Sequence, residues 1–430
     1  MHPQNSRARR NSRAGAPVLV LVAVLLSALS LRAPLTSISP IAVEIHDEIG
    51  ISVETISYIG SMGPLLLATA AVLTGYVMKH LPVPVLAITA AAGLAAVLVS
   101  RSGSWGSATF VVSSAGVYLM IGVLNAVMPA FIGVRYNAST VTRVMALYAS
   151  LIAVGTSVAP LVARWSVDSV SWRVSSMFWA GVASASALMF VLLWTKDRVS
   201  VHWEKSSAAA ASEPAEFTDT VIENRRGTGT QPRPARDSIE LVVWFGVAAF
   251  NAFAMFAWLP RLLTEHMGMS PNHAAWLLSL YALMAVPTGL ITPVILRDRS
   301  RFKTVIAIGL CCFAVGYVCL ALASLWSVVV GVVIGGSGQL LYSAGLVRVA
   351  DIERDARTAG VSGKVQGVGY AVGAAGPVMF GYLRELEISW AASCIAFAVL
   401  SLCALLLLRG SKPYYPLRLP ADSAIDSRPG

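Results

Sequence analysis

About a dozen apolar runs of roughly twenty residues follow one another along the chain, each long enough to cross a ~30 Å hydrocarbon core as a helix. They fall near residues 17–41, 55–78, 83–100, 107–134, 144–163, 174–195, 240–262, 273–296, 304–323, 327–347, 359–383 and 390–409. A 430-residue chain with 13% charged residues and a mean hydropathy of +0.69 has too little polar sequence to cover a soluble core built from these runs. The predicted fold class is all-α integral membrane, with twelve transmembrane helices in two six-helix bundles.

The two sets of six are separated by residues 196–239, rich in Ala, Ser, Glu, Arg and Pro and poor in aromatics, a composition that reads as a disordered cytoplasmic linker. The chain thus divides into an N-terminal tail 1–16, a bundle 17–195, the linker, a bundle 240–409 and a tail 410–430. Arg7, Arg9, Arg10 and Arg13 ahead of the first run also suit a signal peptide. The apolar stretch continues past any cleavage point near Ser30, so a first transmembrane helix is the more economical reading.

Charge sorts by loop. With the N-terminus cytoplasmic and the spans alternating, five of the 32 lysines and arginines fall outside: Arg101, Arg164, Arg173, Arg261 and Arg384. Arg32, Arg348 and Lys364 lie in or at the edges of spans, and the remainder are cytoplasmic, as the positive-inside rule requires. The net charge of +10 therefore reflects topology rather than a nucleic-acid partner. The expected location is the cytoplasmic (inner) membrane, multi-pass, with both termini cytoplasmic. Cys311, Cys312, Cys319, Cys394 and Cys403 sit in two apolar spans without disulfide or metal spacing.

Arg32 is the one charged residue between Arg13 and Glu44, inside the apolar run from Pro17 to Val43. A helix entering lipid near Pro17 carries it roughly 22 Å down at ~1.5 Å per residue, past the midplane. A charge at that depth faces a bundle interior or a water-filled cavity. No span has an Asp or Glu in its interior, so its partner is a backbone carbonyl, water, or an anion that comes and goes. Its planar fork suits a carboxylate-like or small delocalised anion. The competing reading is an arginine that snorkels to the interface and bonds a carbonyl freed near Pro34.

The halves echo each other in order. Arg32-Ala-Pro34 ends the first span and Trp258-Leu-Pro260 the seventh; Gly50-Ile-Ser52 and Gly268-Met-Ser270 follow, with the serines as N-caps. Tyr58 and Pro64 match Tyr281 and Pro287; Gly122 with Asn125 matches Gly338-Gln339; Gly155 to Pro160 matches Gly373 to Pro377. Ordered matches across two six-helix halves are what a duplicated transporter leaves, with its site between the halves near mid-membrane.

Arg32, Asn125, Gln339, Gln366 and Tyr370 are the candidate solute-binding residues, and Ser30, Tyr58, Tyr148, Asn251 and Trp258 candidate cavity lining. Amides in spans also glue helices together, and aromatics also serve as packing or interface anchors. Glycines 360, 363, 367, 369, 373 and 376 in the eleventh span read as close packing. Gly360-Val-Ser-Gly363-Lys364 lacks the spacing of a phosphate loop, so no ATP or other cofactor is called for. Nothing pairs a nucleophile with a base or clusters metal ligands, which argues against an enzyme. The expectation is a monomeric carrier of a small polar or anionic organic solute working by alternating access, the alternative being a drug efflux pump on the same fold.

The chain resembles the major facilitator superfamily, and within it the cyanate permease and 2-nitroimidazole transporter family. The likeness rests on Ser30-Leu-Arg32-Ala-Pro34, Gly122-Val-Leu-Asn125-Ala-Val-Met-Pro129, Leu147-Tyr148 and Trp172-Arg173. In the second half it rests on Ala257-Trp258-Leu-Pro260, Leu277-Leu-Ser279-Leu280 and the run Ser362 to Tyr370 ending in Gly376-Pro377. Where the family has asparagine beside the first-helix arginine this chain has Ser30, and Ala248 stands for a seventh-helix glutamine. The signature after the second helix is reduced to Gly75-Tyr-Val-Met-Lys79-His80. The resemblance implies a cyanate-like or nitrogen-heterocycle solute.

Overall fold

The computed structural model describes residues 18–78, 80–136, 138–209, 234–356 and 361–410, all further statements being made of these. The 1–16 tail, residues 210–233 of the expected linker, the tail after residue 410 and the side chain of Gln366 lie outside the described residues.

The first pass is helical over residues 18–30 (α1) and restarts as α2 (Ala33–Thr36). A 3₁₀ turn at Ser39–Ile41 leads to α3 (Ala42–Ile49), which ends the pass. The next five passes are single helices: α4 (Val53–Val77), α5 (Val83–Ser102), α6 (Ser107–Arg135), α7 (Ala138–Ser169) and α8 (Trp172–Ala209). The second half repeats the plan. Its first pass is α9 (Pro234–Met267); the next is divided into α10 (Pro271–Leu283) and α11 (Ala285–Ile295). Then come α12 (Phe302–Ala321), α13 (Leu325–Ser337) continued by α14 (Leu340–Ala356), α15 (Val361–Glu385) and α16 (Trp390–Gly410). The described ends of the 196–239 segment are thus helical extensions of α8 and α9.

Ten passes are long and apolar enough to span a membrane by length and composition, and α15 and α16 complete twelve. Each half encloses its own apolar core, and the first of these cores reaches across to Phe245, Ala249, Phe253, Val365 and Tyr370 of the second half. The halves meet along α4 against α15 and α7 against α10.

The paired sequence features fold into paired structures. Gly50 and Gly268 both take positive φ (67° and 62°), the conformation that lets a chain leave one helix and turn into the next. Two residues on, Ser52 and Ser270 each cap the following helix, accepting from the N–H of Thr55 (3.1 Å) and His273 (3.4 Å). Gly155 of α7 lies against the backbone of Leu29 in α1, and Gly376 of α15 against that of Phe250 in α9. Gly373, the sequence match of Gly155, packs on Ala249 of the same helix α9, so the glycines mark the same helix contact in each half.

Arg101, counted on the outer side by its place after an apolar run, is 1% exposed at the end of α5.

Candidate functional site

Pro34 has no N–H to donate and its ring collides with the carbonyl four residues back, so α1 cannot run through Arg32. The chain breaks at Leu31-Arg32, with Arg32 at φ −124°, ψ −19°, and restarts as α2. The break holds the guanidinium between the halves. Its Nη2 donates to the hydroxyls of Tyr342 on α14 (3.3 Å) and Tyr370 on α15 (3.0 Å), which are 3.0 Å from each other. Its Cζ also lies 5.4 Å from the ring centre of Phe253 and 5.7 Å from those of Tyr342 and Tyr370, within cation–π range. Tyr148 of α7 is close enough to interact electrostatically with Arg32 and Tyr370.

Two neutral hydroxyls from the opposite half are thus partners of Arg32 that the sequence did not point to, beside the carbonyl, water or anion expected from it. They use one nitrogen of the fork. Among the described residues nothing accepts from Nε or Nη1, and no carboxylate pairs with the charge.

The carbonyl of Pro34 does bond an arginine, but a different one. Arg101 Nη1 donates to it (3.3 Å) while Arg101 Nε donates to Ser176 Oγ on α8 (3.1 Å). The break in the first pass is therefore braced from α5 and α8.

Beside Arg32 lies a cavity of about 40 Å³, room for two or three water-sized occupants. Leu35, Thr36, Ile38 and Ser39 line it from the first pass, Ile56, Gly60 and Pro64 from α4, Tyr118 from α6, and Phe253, Phe256 and Ala257 from α9. Thr36 Oγ1 donates to the Thr156 carbonyl (3.0 Å) and Ser39 Oγ to that of Ala257 (2.9 Å). Farther along the same end of the bundle, Arg164 of α7 bonds Glu44, Asp168 (2.9 Å) and, across the halves, Asn272 (2.9 Å).

The other sequence candidates separate by environment. Ser30 Oγ donates to the carbonyls of Leu26 (3.2 Å) and Ser27 (3.0 Å). Asn251, 1% exposed, bonds the Val247 carbonyl (2.9 Å) and Ser401 (3.1 Å), fastening α9 to α16. Trp258 donates to the Pro377 carbonyl (3.0 Å) and stacks on Phe380. None of these three lines the cavity. Tyr58 sits in the seam between halves, near Gly381 of α15. Asn125 leaves its buried Nδ2 without a partner.

Gln339 stands at the break between α13 and α14 and donates its Nε2 to the Tyr281 carbonyl (2.9 Å), beside which Gly336 packs closely. Gln339→Ala leaves that carbonyl unpaired and is expected to lower stability by about 1–3 kcal/mol. A lowered thermal midpoint with solute affinity retained identifies Gln339 as a fastener; unchanged stability excludes it.

Trp172-Arg173 is also structural. Arg173 bonds Glu48 (2.9 Å) and the carbonyls of Ser102 (2.5 Å) and Ser104 (2.8 Å) between the rings of Trp105 and Trp172, tying α8 to α3 and to the end of α5.

Two repeated six-helix halves around a half-buried cation and a small cavity define a membrane carrier for small solutes. The sequence matches the profile of the Major Facilitator Superfamily over residues 20–270 and 241–424, and the chain belongs to that superfamily.

Among curated proteins it is 24% identical over 386 residues to the uncharacterized transporter YycB of Bacillus subtilis, covering 86% of this chain and 88% of that one. It is 22% identical over 408 residues to the cyanate transport protein CynX of Escherichia coli, covering 93% and 98%. A 168-residue stretch is 28% identical to the 2-nitroimidazole transporter of Escherichia coli, covering 38% and 42%. Among solved structures, a POT family transporter in complex with 5-aminolevulinic acid superposes with a TM-score of 0.73 at 13% identity, covering 92% and 96% of the two chains. A mutant of the nucleoside transporter NupG gives 0.66 at 14% identity, covering 91% and 99%. These structures share the fold.

Proposed function

We propose that the protein carries a compact anionic or strongly polar organic solute, cyanate-like in size and charge, across the cytoplasmic membrane by rocking of its halves. The observation that carries this reading is Arg32: a half-buried cation between the halves, without a carboxylate among the described residues, with its Nε and Nη1 unused beside a cavity. An anion at this point satisfies those donors and meets a guanidinium shielded from bulk water, where charge-assisted hydrogen bonds are strong. Tyr370 hands the solute between halves, and Asn125, whose buried Nδ2 has no partner, orients it. A cavity of about 40 Å³ supports a solute of a few heavy atoms over an amphipathic drug. Both termini face the cytoplasm in this reading, and the carrier acts as a monomer.

The test is binding and flux with purified protein: thermal shift and liposome uptake with cyanate, nitrate, formate and 2-nitroimidazole. A saturable stabilisation by at least one of the anions, with matching flux, is expected. Stabilisation and flux by 2-nitroimidazole with none by any of the anions overturns the anion assignment.

A further inference from the structure

The cavity wall facing α6 holds a polar group no sequence motif singles out. Tyr118 lines the cavity, its residue is buried, and its hydroxyl has no hydrogen-bond partner. The other hydroxyl-bearing residues lining the cavity, Thr36 and Ser39 of the first pass, donate to backbone carbonyls. A phenol enclosed among Ile38, Ile56 and Ile59 without a partner is unfavourable, and native proteins rarely leave one so unless something else completes it. Tyr118 has little freedom to turn elsewhere: its ring edge is packed on Gly63 of α4, where an added Cβ would lie 3.2 Å from Cε1 and Cζ.

Arg101, at the end of α5, is a buried cation. It is close enough to Tyr118 to interact electrostatically, has no carboxylate partner among the described residues, and is fixed by Ser176 and the Pro34 carbonyl. One positive group thus lines the cavity, and a second holds the Pro34 carbonyl of the pass that lines it.

We infer that the solute site is two-pointed: Arg32 takes the negative group, and the Tyr118 hydroxyl donates a second hydrogen bond to the same small anion, with Arg101 as the residue that positions α2. This inference rests on the anion reading of the cavity and adds to it a specificity-determining contact. The favoured solute offers acceptors at both ends or on two edges, as cyanate, formate and nitrate do, while a halide offers a single centre. Arg101 acts in two ways, by the field it adds and by its hold on the Pro34 carbonyl two residues beyond Arg32.

The test compares wild type with Tyr118→Phe, Arg101→Lys and Arg101→Gln, with Arg32→Ala as reference. Thermal shift and equilibrium binding are measured in detergent with cyanate, formate, nitrate and chloride. Tyr118→Phe is expected to keep the thermal midpoint of the unliganded protein and to weaken polyatomic anions by roughly tenfold or more, with chloride little changed. Arg101→Lys is expected to retain more affinity than Arg101→Gln, because it keeps the charge while losing the fork. Tyr118→Phe binding all four anions as wild type does, while Arg32→Ala loses them, overturns the second contact and leaves the anion reading standing. Wild type that binds none of the four overturns both. Arg101→Lys and Arg101→Gln binding alike at unchanged stability removes the role given to the Arg101 charge, and Tyr118→Phe decides the contact even if the Arg101 variants fail to fold.

Discussion

Arg32→Ala is expected to abolish measurable uptake. Removing a guanidinium that holds a buried anion forfeits about 2–5 kcal/mol, which lowers uptake efficiency by thirtyfold at the least and by thousands at the upper end. Arg32→Lys is expected to fall between, since a lysine keeps the charge but offers no planar fork to span a solute and two hydroxyls. The measurement is initial uptake in liposomes alongside a thermal midpoint. Because Arg32 lacks a carboxylate, its removal strands no opposite charge, so the alanine variant should remain folded. Wild-type transport by Arg32→Ala and Arg32→Lys together would remove the anchor.

The second large effect concerns stability. A Cβ placed on Gly376 would lie 2.1 Å from the Phe250 carbonyl oxygen, so Gly376→Ala forces α15 and α9 apart. Within a packed bundle such overpacking costs about 3 kcal/mol or more. Loss of monodisperse protein on detergent extraction is the expected result, and Gly155→Ala at the matching contact, 2.5 Å from the Leu29 carbonyl, should behave likewise. Gly181→Ala, where a Cβ meets nothing within 4 Å, serves as the control that should extract normally. Normal extraction of Gly376→Ala would show that the helices can part without consequence.

The passes and the twofold plan were legible because both are written locally. Twenty apolar residues announce a span, and Gly-apolar-Ser announces a turn and a cap whatever surrounds it. Arg32 was legible for the same reason, as one charge in an apolar stretch. Its partners were less so: Tyr342 and Tyr370 lie more than three hundred residues away, and a tyrosine in an apolar helix carries no mark that distinguishes packing from bonding.

The burial of Arg101 was not legible because hydropathy is one-dimensional. A charge just past an apolar run carries no mark of the Pro34 carbonyl and Ser176 that stand beside it. Asn251 and Gln339 look alike in sequence as lone amides in spans, and only the fold shows which carbonyls they meet. Tyr118 escaped notice because the absence of a hydrogen bond has no sequence signature.

The Arg32–Tyr342–Tyr370 triangle also bears on what happens between loads. A carrier must return after releasing its cargo, and a bare cation in the middle of a membrane would make that unloaded species the highest point of the cycle. Hydroxyls from the opposite half give the charge a resting companion that is neutral and weaker than an anion. On the proposed reading, the charge left behind by a departing solute is thereby less costly than a bare cation would be.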